Sequence, residues 1–372
     1  MLKPSSGACN MRCRYCFYAD ETQKRERENY GFMSEETQEA VVRKTLAQAR
    51  DGCTFAFQGG EPTLVGLDFY RRQARLEAQY NVNRVPIHHA IQTNGLAIDD
   101  QWGAFFAREQ YLVGVSLDGP REVHDAYRLD ARGEGTFHRV MGAIRILQKH
   151  QVDFNILVTL TQPCARSSRK VYGFFRKQGF AYQQYIPCLD PLGEERGGQD
   201  YSLTPEGFSY YLKSVFDLWY QDCRKGEMPY HRYFYNLLVI LQGQRPEACD
   251  LRGICGVQYV VEADGSVYPC DFYMLDQWRL GNLVADSFAQ IDRRREELGF
   301  LQRSQKALEH CRGCRWLPLC RGGCCRDREG AAGTPLGENY FCRAYQEFFS
   351  YAYPRLEELC RLLAQGKIRP MA

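Results

Sequence analysis

Residues 8–20 read ACNMRCRYCFYAD and place three thiols, Cys9, Cys13 and Cys16, in one short stretch near the N-terminus. Three thiolates at these spacings cannot complete a four-ligand metal site by themselves. Either a distant residue supplies the fourth ligand, or one coordination position is left open. Three thiolates in one loop favour an iron–sulfur cube with one free iron, because zinc sites of this kind usually include histidine or carboxylate ligands. The alternative is a zinc site in which Cys9 joins a distant cysteine.

The composition excludes several classes of protein. The chain has 372 residues, 44% hydrophobic and 25% charged, which is ordinary for a globular protein with a sizeable core. The formal net charge of +3 is too small to indicate a nucleic acid as the principal partner. We expect a cytoplasmic protein, since neither a membrane span nor an apolar signal segment is present. Seventeen cysteines in such a protein indicate metal ligands or catalytic thiols rather than disulfides.

Short β-rich runs alternate with helical patterns through the first half of the chain. Strands are predicted in the KPSS segment at 3–6 and at 53–58, 86–93, 111–118, 153–160 and 180–187. Helices are predicted near 34–50, with Ser34 as N-cap, and near 67–79, 99–108, 134–149 and 168–178. This alternation predicts an α/β fold with a parallel sheet and right-handed crossovers. Six βα units are too few for a closed eight-fold barrel, so we expect an open, partial (β/α)6 barrel.

The second half of the chain has a different character. A Gly- and charge-rich connector at 191–200 precedes an aromatic-rich helix at 204–223. VQYVVEADGSVYP (257–269) predicts a hairpin with Asp264 and Gly265 as a two-residue turn. Cysteine density rises from Cys249 to Cys342, and we expect this part to need bound metal to fold. A final helix is predicted to be interrupted by Pro354. The predicted domains are a barrel at 1–200, a helical connector at 201–245, a cysteine-rich domain at 246–345 and a C-terminal helix at 346–372.

The cysteine loop and the predicted strand ends resemble radical SAM enzymes. CNMRCRYC (9–16) is similar to their CxxxCxxC loop, whose open iron chelates the amino and carboxylate groups of S-adenosylmethionine. GGEP (59–62), QTNG (92–95), SLDG (116–119) and an arginine at 128 follow in chain order, at the strand ends where parallel sheets bind ligands. By this resemblance, Arg128 pairs with the methionine carboxylate. The implied S-adenosylmethionine-binding residues are Tyr15, Gly59, Gly60, Glu61, Thr93, Asn94, Ser116 and Arg128.

Eight further cysteines form a second constellation, enough for two fully ligated clusters. Their spacing resembles the SPASM extension of radical SAM enzymes, which carries two auxiliary 4Fe–4S clusters. The resemblance implies one cluster held by Cys249, Cys255, Cys270 and Cys324, and another held by Cys311, Cys314, Cys320 and Cys342. Two four-cysteine zinc sites are the alternative, but zinc ribbons favour two CxxC knuckles and only one is present. The remaining cysteines are expected to be small buried hydrophobic residues: Cys53, Cys164, Cys188, Cys223, Cys325 and Cys360.

Longer stretches of sequence narrow the resemblance to one family of radical SAM enzymes. CTFAFQGGEPTL, VSLDGP, VEADGSVYPCDFY and WRLGN are similar to the anaerobic sulfatase-maturating enzymes, and the resemblance runs from about residue 3 to residue 355. It implies oxidation of a cysteine or serine in a C/S-x-P-x-R-like sulfatase motif to Cα-formylglycine, after a 5′-deoxyadenosyl radical removes a Cβ hydrogen. Asp271 is implied as the base, with Tyr18 and Gln58 near the substrate and electron exit through the auxiliary clusters. From its position alone, Asp271 is equally well interpreted as a turn cap beside a cluster.

The resemblance also implies partners and leaves alternatives. The implied cofactors are S-adenosylmethionine and three 4Fe–4S clusters. The expected partners are an unfolded or nascent sulfatase and a flavodoxin- or ferredoxin-type reductant, without nucleic acid or membrane. One alternative is a SPASM enzyme that forms a thioether or other crosslink in a ribosomal peptide, since it would share every cluster ligand. Another is a non-enzymatic iron–sulfur redox protein, although such a carrier needs only fully ligated clusters. The sequence leaves the choice between cysteine and serine substrates open.

Overall fold

The computed structural model describes residues 1–330 and 334–371, and the chain divides into two compact units. The first unit comprises Met1–Ser116, Tyr127–Phe154 and Val257–Phe300. The second comprises Leu117–Ala126, Asn155–Gly256 and the residues from Leu301 onward. Both units are therefore assembled from separate stretches of sequence. The predicted domain boundaries after residues 200, 245 and 345 describe a different division of the chain and stay a prediction.

The first unit contains three parallel strands, β1 (Cys53–Phe57), β2 (Ile87–Thr93) and β3 (Tyr111–Ser116). Their bounds confirm three predicted strands within one or two residues. Ser34 caps the first long helix as predicted, because its hydroxyl accepts a hydrogen bond of 3.1 Å from the Thr37 backbone N–H. The α-helices of this unit are Phe17–Gln23, Glu35–Gln48, Leu67–Tyr80, Asp100–Arg108, Phe137–Lys149 and Phe288–Leu298, and the 3-10 helices are Pro62–Val65, Asp271–Tyr273 and Asp276–Trp278.

The second unit contains β4 (Phe154–Leu160), β5 (Tyr182–Pro187) and the short β6 (Tyr230–His231), again parallel. The two helices Pro205–Arg224 and Cys342–Ala364 pack against each other. The other α-helices are Arg121–His124, Gln162–Arg166, Ser168–Gln178, Arg232–Leu241, Phe300–Lys306 and Leu317–Cys320, and the 3-10 helices are Cys249–Leu251, Ala307–Cys311 and Cys325–Arg328.

The described residues thus contain six parallel strands, but one predicted strand is wrong. Residues 4–7 form turns, and the preceding Leu2 makes isolated parallel bridges with Phe57 and Val261. Pro4 has no N–H to donate to a ladder, and Ser6 has a φ of 50°, which is incompatible with a strand. The sixth strand is β6, whose two residues are too few to leave a period-two pattern in the sequence.

Two other predictions about local structure need correction. The hairpin of β7 (Val260–Val261) and β8 (Ser266–Tyr268) is closed by a three-residue loop rather than a two-residue turn, since the Glu262 N–H donates to the Ser266 carbonyl at 2.8 Å. A third antiparallel strand, β9 (Gly281–Asn282), completes this sheet. The helix Cys342–Ala364 continues through Pro354. Buried residues on both sides of that proline keep the helix packed, which offsets the one lost backbone hydrogen bond.

Across the described residues, we find no helix with both the length and the apolar character needed to cross a membrane.

Candidate active site

The cysteine loop is held by backbone pairing with residues 127–130 in the same unit. The Arg12 N–H donates to the Leu129 carbonyl at 2.7 Å, and the Arg14 N–H donates to the Tyr127 carbonyl at 3.2 Å. The helix Phe17–Gln23 begins directly after Cys16. The three predicted cluster thiols are therefore carried by one loop that is fixed on both sides, and each of them is half-buried.

Glu61 connects two strand ends beneath this loop. Its carboxylate accepts hydrogen bonds from the Thr93 hydroxyl at 2.8 Å and from the Asn94 backbone N–H at 2.7 Å. Its own backbone N–H donates to the Ala8 carbonyl at 2.8 Å, next to the first cluster cysteine. Burial raises the pKa of Glu61 above its ordinary value, and its hydrogen bonds, the Thr63 hydroxyl first, oppose this effect. Glu61 therefore positions the cysteine loop relative to β1 and β2.

The glycine pair before Glu61 allows the close approach of two backbones. Gly60 has a φ of 54°, and a Cβ atom at this position would lie 2.4 Å from the Ala8 carbonyl oxygen and 2.7 Å from the Ser6 carbonyl oxygen. No side chain fits there without moving the cysteine loop. Close approach of a ligand to this backbone stays a prediction from the sequence.

The remaining predicted cofactor residues lie in the first unit as well. The Asn94 amide lies 3.8 Å from the Cys9 sulfur and donates to the Asn10 side chain at 2.8 Å. Gln92 donates to the Ser116 hydroxyl at 3.1 Å, which joins the ends of β2 and β3. The Arg128 guanidinium lies 5.4 Å from the centre of the Tyr15 ring. The arrangement supplies backbone donors, one cation and three thiols, which fit an open cluster with a bound amino acid group.

Asp271 lies at the centre of a polar network in the first unit. Its Oδ2 atom accepts hydrogen bonds from the Tyr18 hydroxyl at 2.5 Å and from the Gln58 amide at 2.9 Å. Gln58 also donates to the Tyr18 oxygen at 3.0 Å. Burial and the neighbouring Asp271 carboxylate raise the pKa of Tyr18 well above its ordinary value, so the phenol stays protonated. The structure therefore brings together the three side chains that the sequence predicted for the substrate end of the site.

Lys3 is a member of this network that sequence reasoning missed. Its ammonium forms an ion pair of 2.9 Å with the Oδ1 atom of Asp271 and lies 3.6 Å from the centre of the Tyr18 ring. Only 2% of Lys3 and 7% of Asp271 are exposed. A buried carboxylate needs such a cation to remain charged. The signal in the sequence was a single lysine before the cysteine loop, within a segment that was interpreted as a strand.

Four predicted cluster cysteines line one cavity in the second unit. Cys311, Cys314, Cys320 and Cys342 surround it together with Trp316, Tyr345 and Phe349. Burial raises the pKa of Cys320 to about 12, so a bound cation is needed to keep this sulfur as a thiolate. Among the described residues, no three cysteine, histidine or carboxylate side chains lie close enough to bind a single metal ion. Four thiols around one cavity are the ligand number that a 4Fe–4S cluster takes.

The other predicted set is divided between the units. Cys249, Cys255 and Cys324 belong to the second unit and Cys270 to the first, so this ligand set stays a prediction. The unassigned Cys325 is buried with Ala307 and Leu336 and packs against Cys255. A hydrogen bond from the Cys325 thiol lowers the pKa of Cys255 to about 7. Of the other unassigned cysteines, Cys164, Cys188 and Cys223 are buried as expected, whereas Cys53 and Cys360 are half-buried.

Comparison with known proteins agrees with this arrangement. Residues 4–162 match the radical SAM superfamily, and residues 254–315 match an iron–sulfur cluster-binding domain, SPASM. A cysteine-type anaerobic sulfatase-maturating enzyme of Clostridium perfringens is 43% identical, with 96% of each chain covered. A serine-type anaerobic sulfatase-maturating enzyme of Bacteroides thetaiotaomicron is 30% identical over 96% of this chain and 90% of the relative.

A solved structure is also similar to this chain over nearly its full length. Native anSMEcpe with bound AdoMet and Cp18Cys peptide matches with a TM-score of 0.92 at 42% identity, covering 97% of this chain and 98% of that one. Together with the two domain matches, this similarity confirms the predicted fold class, a partial radical SAM barrel with a SPASM-type domain. It also confirms the predicted cofactors, S-adenosylmethionine and 4Fe–4S clusters.

Proposed function

The chain belongs to the anaerobic sulfatase-maturating enzymes of the radical SAM superfamily, and we propose from this premise that it oxidises a cysteine or serine side chain of a sulfatase to Cα-formylglycine. The observation that carries the proposal is the buried network of Asp271, Tyr18, Gln58 and Lys3, which lies in the same unit as the cysteine loop. A cluster protein that only carries electrons has no need for a base in this position.

The family resemblance implies which residues would hold the cofactors. Cys9, Cys13 and Cys16 would ligate the open cluster, and the amide of Asn94 would lie beside the Cys9 sulfur. S-adenosylmethionine would lie against the backbone of Gly59 and Gly60, with Arg128 as the partner of its carboxylate. When bound, this pair of cofactors supplies a radical that removes hydrogen from an unactivated carbon. Eight further cysteines would hold the two auxiliary clusters.

The protein's own contribution is control of a proton and exclusion of water. Asp271 would accept the thiol or hydroxyl proton of the substrate as the adjacent carbon is oxidised. Lys3 supplies a counter-charge at 2.9 Å from Oδ1, while Tyr18 and Gln58 both donate to Oδ2, so the carboxylate is held in one orientation. A cysteine substrate gives a thioaldehyde that water hydrolyses, and a serine substrate gives the aldehyde directly. The alternative of crosslink formation in a ribosomal peptide has no observation in its favour.

The proposed substrate residue follows from the degree of similarity to the two relatives. Because the cysteine-type relative is 43% identical and the serine-type relative 30%, a cysteine in a C-x-P-x-R-like motif is the proposed substrate. The protein partner would be an unfolded or nascent sulfatase, since a buried motif cannot reach a recessed site. A flavodoxin- or ferredoxin-type protein would supply electrons. A cytoplasmic location is proposed because the cysteines assigned as cluster ligands need a reducing compartment.

The test uses anaerobically reconstituted protein, a chemical reductant, S-adenosylmethionine and short CxPxR and SxPxR peptides. We expect aldehyde mass in the peptide with a matching amount of 5′-deoxyadenosine. Asp271→Asn should retain cofactor cleavage and lose aldehyde formation by a factor of about 10²–10⁴, the usual contribution of a positioned base. Asp276→Asn, which neutralises a carboxylate that accepts a hydrogen bond of 2.8 Å from the Glu26 backbone N–H, is the matched control. Unchanged aldehyde yield in Asp271→Asn would show that another group is the base.

A further inference from the structure

A surface cavity in the second unit shares a cysteine with the four-cysteine cavity. It has a volume of about 940 Å³ and is lined by the loop of residues 312–316, one face of the helix Cys342–Ala364, and Lys213. Cys314 lines both cavities. A cluster held by Cys314 would therefore lie directly behind the floor of a wide depression on the surface of this unit.

The cavity is positively charged. Lys213, Arg312 and Arg315 line it against one carboxylate, Glu347, which pairs with Lys213 at 3.0 Å. The Arg312 side chain is 80% exposed, and its one ion pair, at 3.8 Å, is with Glu309, which is itself largely exposed. Such exposed pairs contribute little and leave most of the positive potential facing solvent. The Arg315 guanidinium lies 4.5 Å from the centre of the Trp316 ring, and Trp316, like Cys314, lines both cavities.

The proposed oxidation requires an exit for an electron. Conversion of the substrate side chain to the aldehyde level removes two electrons. One leaves with the abstracted hydrogen atom, and the other must pass to an electron acceptor as the side-chain proton passes to the base. The acceptor has to gain one electron without any bond being made or broken on this chain.

We propose that this cavity, defined by Lys213, Arg312, Arg315, Trp316 and Tyr351, docks an acidic one-electron carrier protein. Cationic rims attract a carrier with an acidic face and raise its association rate, and redox encounters of this kind need only a small interface. A small metabolite would be held poorly by so wide and exposed a depression. The inference rests on the proposed function, since that function assigns Cys314 as a cluster ligand.

Equilibrium binding of a flavodoxin, the probe carrier, to the full chain tests the proposal without reference to enzyme activity. Titration calorimetry should show binding that weakens as salt increases. In the double variant Arg312→Glu and Arg315→Glu, the Kd should rise at least about tenfold at low salt. The matched control is Arg169→Glu with Lys177→Glu, an equal charge change on exposed positions of the helix Ser168–Gln178 that line neither cavity. The control should bind as the unaltered chain does.

Several results would overturn the proposal. They are salt-independent binding, equal weakening in the control, an unchanged Kd in the double variant, or no binding of either a flavodoxin or an acidic ferredoxin. If the double variant fails to fold, the single change Arg312→Gln on an exposed side chain makes the same comparison with a smaller expected shift. Aldehyde formation with dithionite as reductant does not need the docking surface. If the unaltered protein formed no aldehyde with dithionite, the proposed function would be overturned instead. Failure of the docking proposal and failure of the proposed function are therefore distinguishable.

Discussion

At the scale of single residues, the Lys3–Asp271 ion pair is the least expected feature of the site. Both partners are almost completely buried, and the carboxylate also accepts two hydrogen bonds. A buried pair of this kind adds little net stability, but removal of one partner leaves an uncompensated charge. Lys3 is therefore a positioning residue for the proposed base rather than a structural anchor.

Replacement of Lys3 by methionine should lower the free energy of unfolding by about 3 kcal/mol and reduce aldehyde formation more than S-adenosylmethionine cleavage. Denaturant unfolding and paired product assays measure the two effects. Lys24→Met, which breaks an exposed ion pair with Asp20, is the control and should change stability by no more than about 1 kcal/mol. An equal loss of both products in Lys3→Met would mean that Lys3 supports the cofactor and not the base.

Arg328 is a second buried charge whose partners are informative. Its Nη2 atom donates to the Cys311 sulfur at 3.2 Å, and its other hydrogen bonds are to the carbonyls of Gly322, Ala307 and Gly337. Among the described residues, no carboxylate lies within ion-pair distance of the guanidinium. The Asp327 carboxylate interacts electrostatically with Arg328, and an anionic cluster ligated by Cys311 would add a further counter-charge to this buried cation.

Arg328→Met should therefore make the cluster beside Cys311 harder to reduce. We expect the equilibrium constant for reduction to fall about tenfold, a shift of about 59 mV for one electron, because hydrogen bonds to cluster sulfurs raise the potential. Potentiometric titration followed by electron paramagnetic resonance measures it, in protein with Cys9, Cys13 and Cys16 replaced by alanine. Arg343→Met, at a largely exposed side chain, should leave both remaining potentials unchanged. A shift of equal size in the control would argue against the contact.

At the scale of secondary structure elements, the ends of β1, β2 and β3 create the proposed cofactor site. Each strand end contributes a different polar group, and Glu61 and Gln92 join neighbouring ends by side-chain hydrogen bonds. The cysteine loop then rests on the turn after β1, with no space for a side chain at Gly60. A displacement of the turn after β1 would therefore also move the cysteine loop.

Gly60→Ala tests this coupling. The added Cβ atom would clash with the Ala8 carbonyl, so the cysteine loop must move, and we expect loss of most S-adenosylmethionine binding and of iron in the open cluster. Gly66→Ala is a matched control, since Gly66 also has a positive φ of 91° but no atom within 4 Å of the added Cβ position. The control should lose about 1 kcal/mol of stability and retain its iron. Iron analysis and calorimetry with S-adenosylmethionine decide between the two outcomes.

At the scale of the whole molecule, bound clusters are expected to stabilise one part of the chain more than the rest. β7, β8 and β9 together contain only seven residues, and the cysteine-rich segments contain mainly short 3-10 turns. Such short elements form few backbone hydrogen bonds of their own, and bound metal is expected to add to their stability.

Removal of iron by a chelator under reducing conditions should therefore expose residues 246–345 to proteolysis before the strands of the barrel. Limited digestion followed by mass spectrometry of the fragments measures the order of cleavage. The reconstituted protein is the control and should resist cleavage in both regions. Simultaneous cleavage of strands β1 to β3 and of residues 246–345 would mean that the clusters stabilise the whole chain equally.

Much of the fold was determined by the sequence alone, because its signals are local. The period-two runs predicted five strands, β1 to β5, within about two residues, and Ser34 marked the start of the first long helix. The spacing of Cys9, Cys13 and Cys16 indicated an open iron–sulfur site, since ligand chemistry depends on residue type and short spacing. The errors arose where local signals were weak: the turn at KPSS, the two-residue strand Tyr230–His231, and the helix that continues through Pro354.

Only the tertiary structure decided which distant side chains meet. Tyr18 and Asp271 are 253 residues apart in sequence, and Lys3 joins them from a segment that carried no pattern of its own. Arg328 and Cys311 likewise meet through folding and not through spacing. Packing brings these groups out of water together, and burial makes each charge depend on its partner. A sequence names the groups that can react, but the dielectric environment and the hydrogen bonds that set their charge exist only in the folded protein.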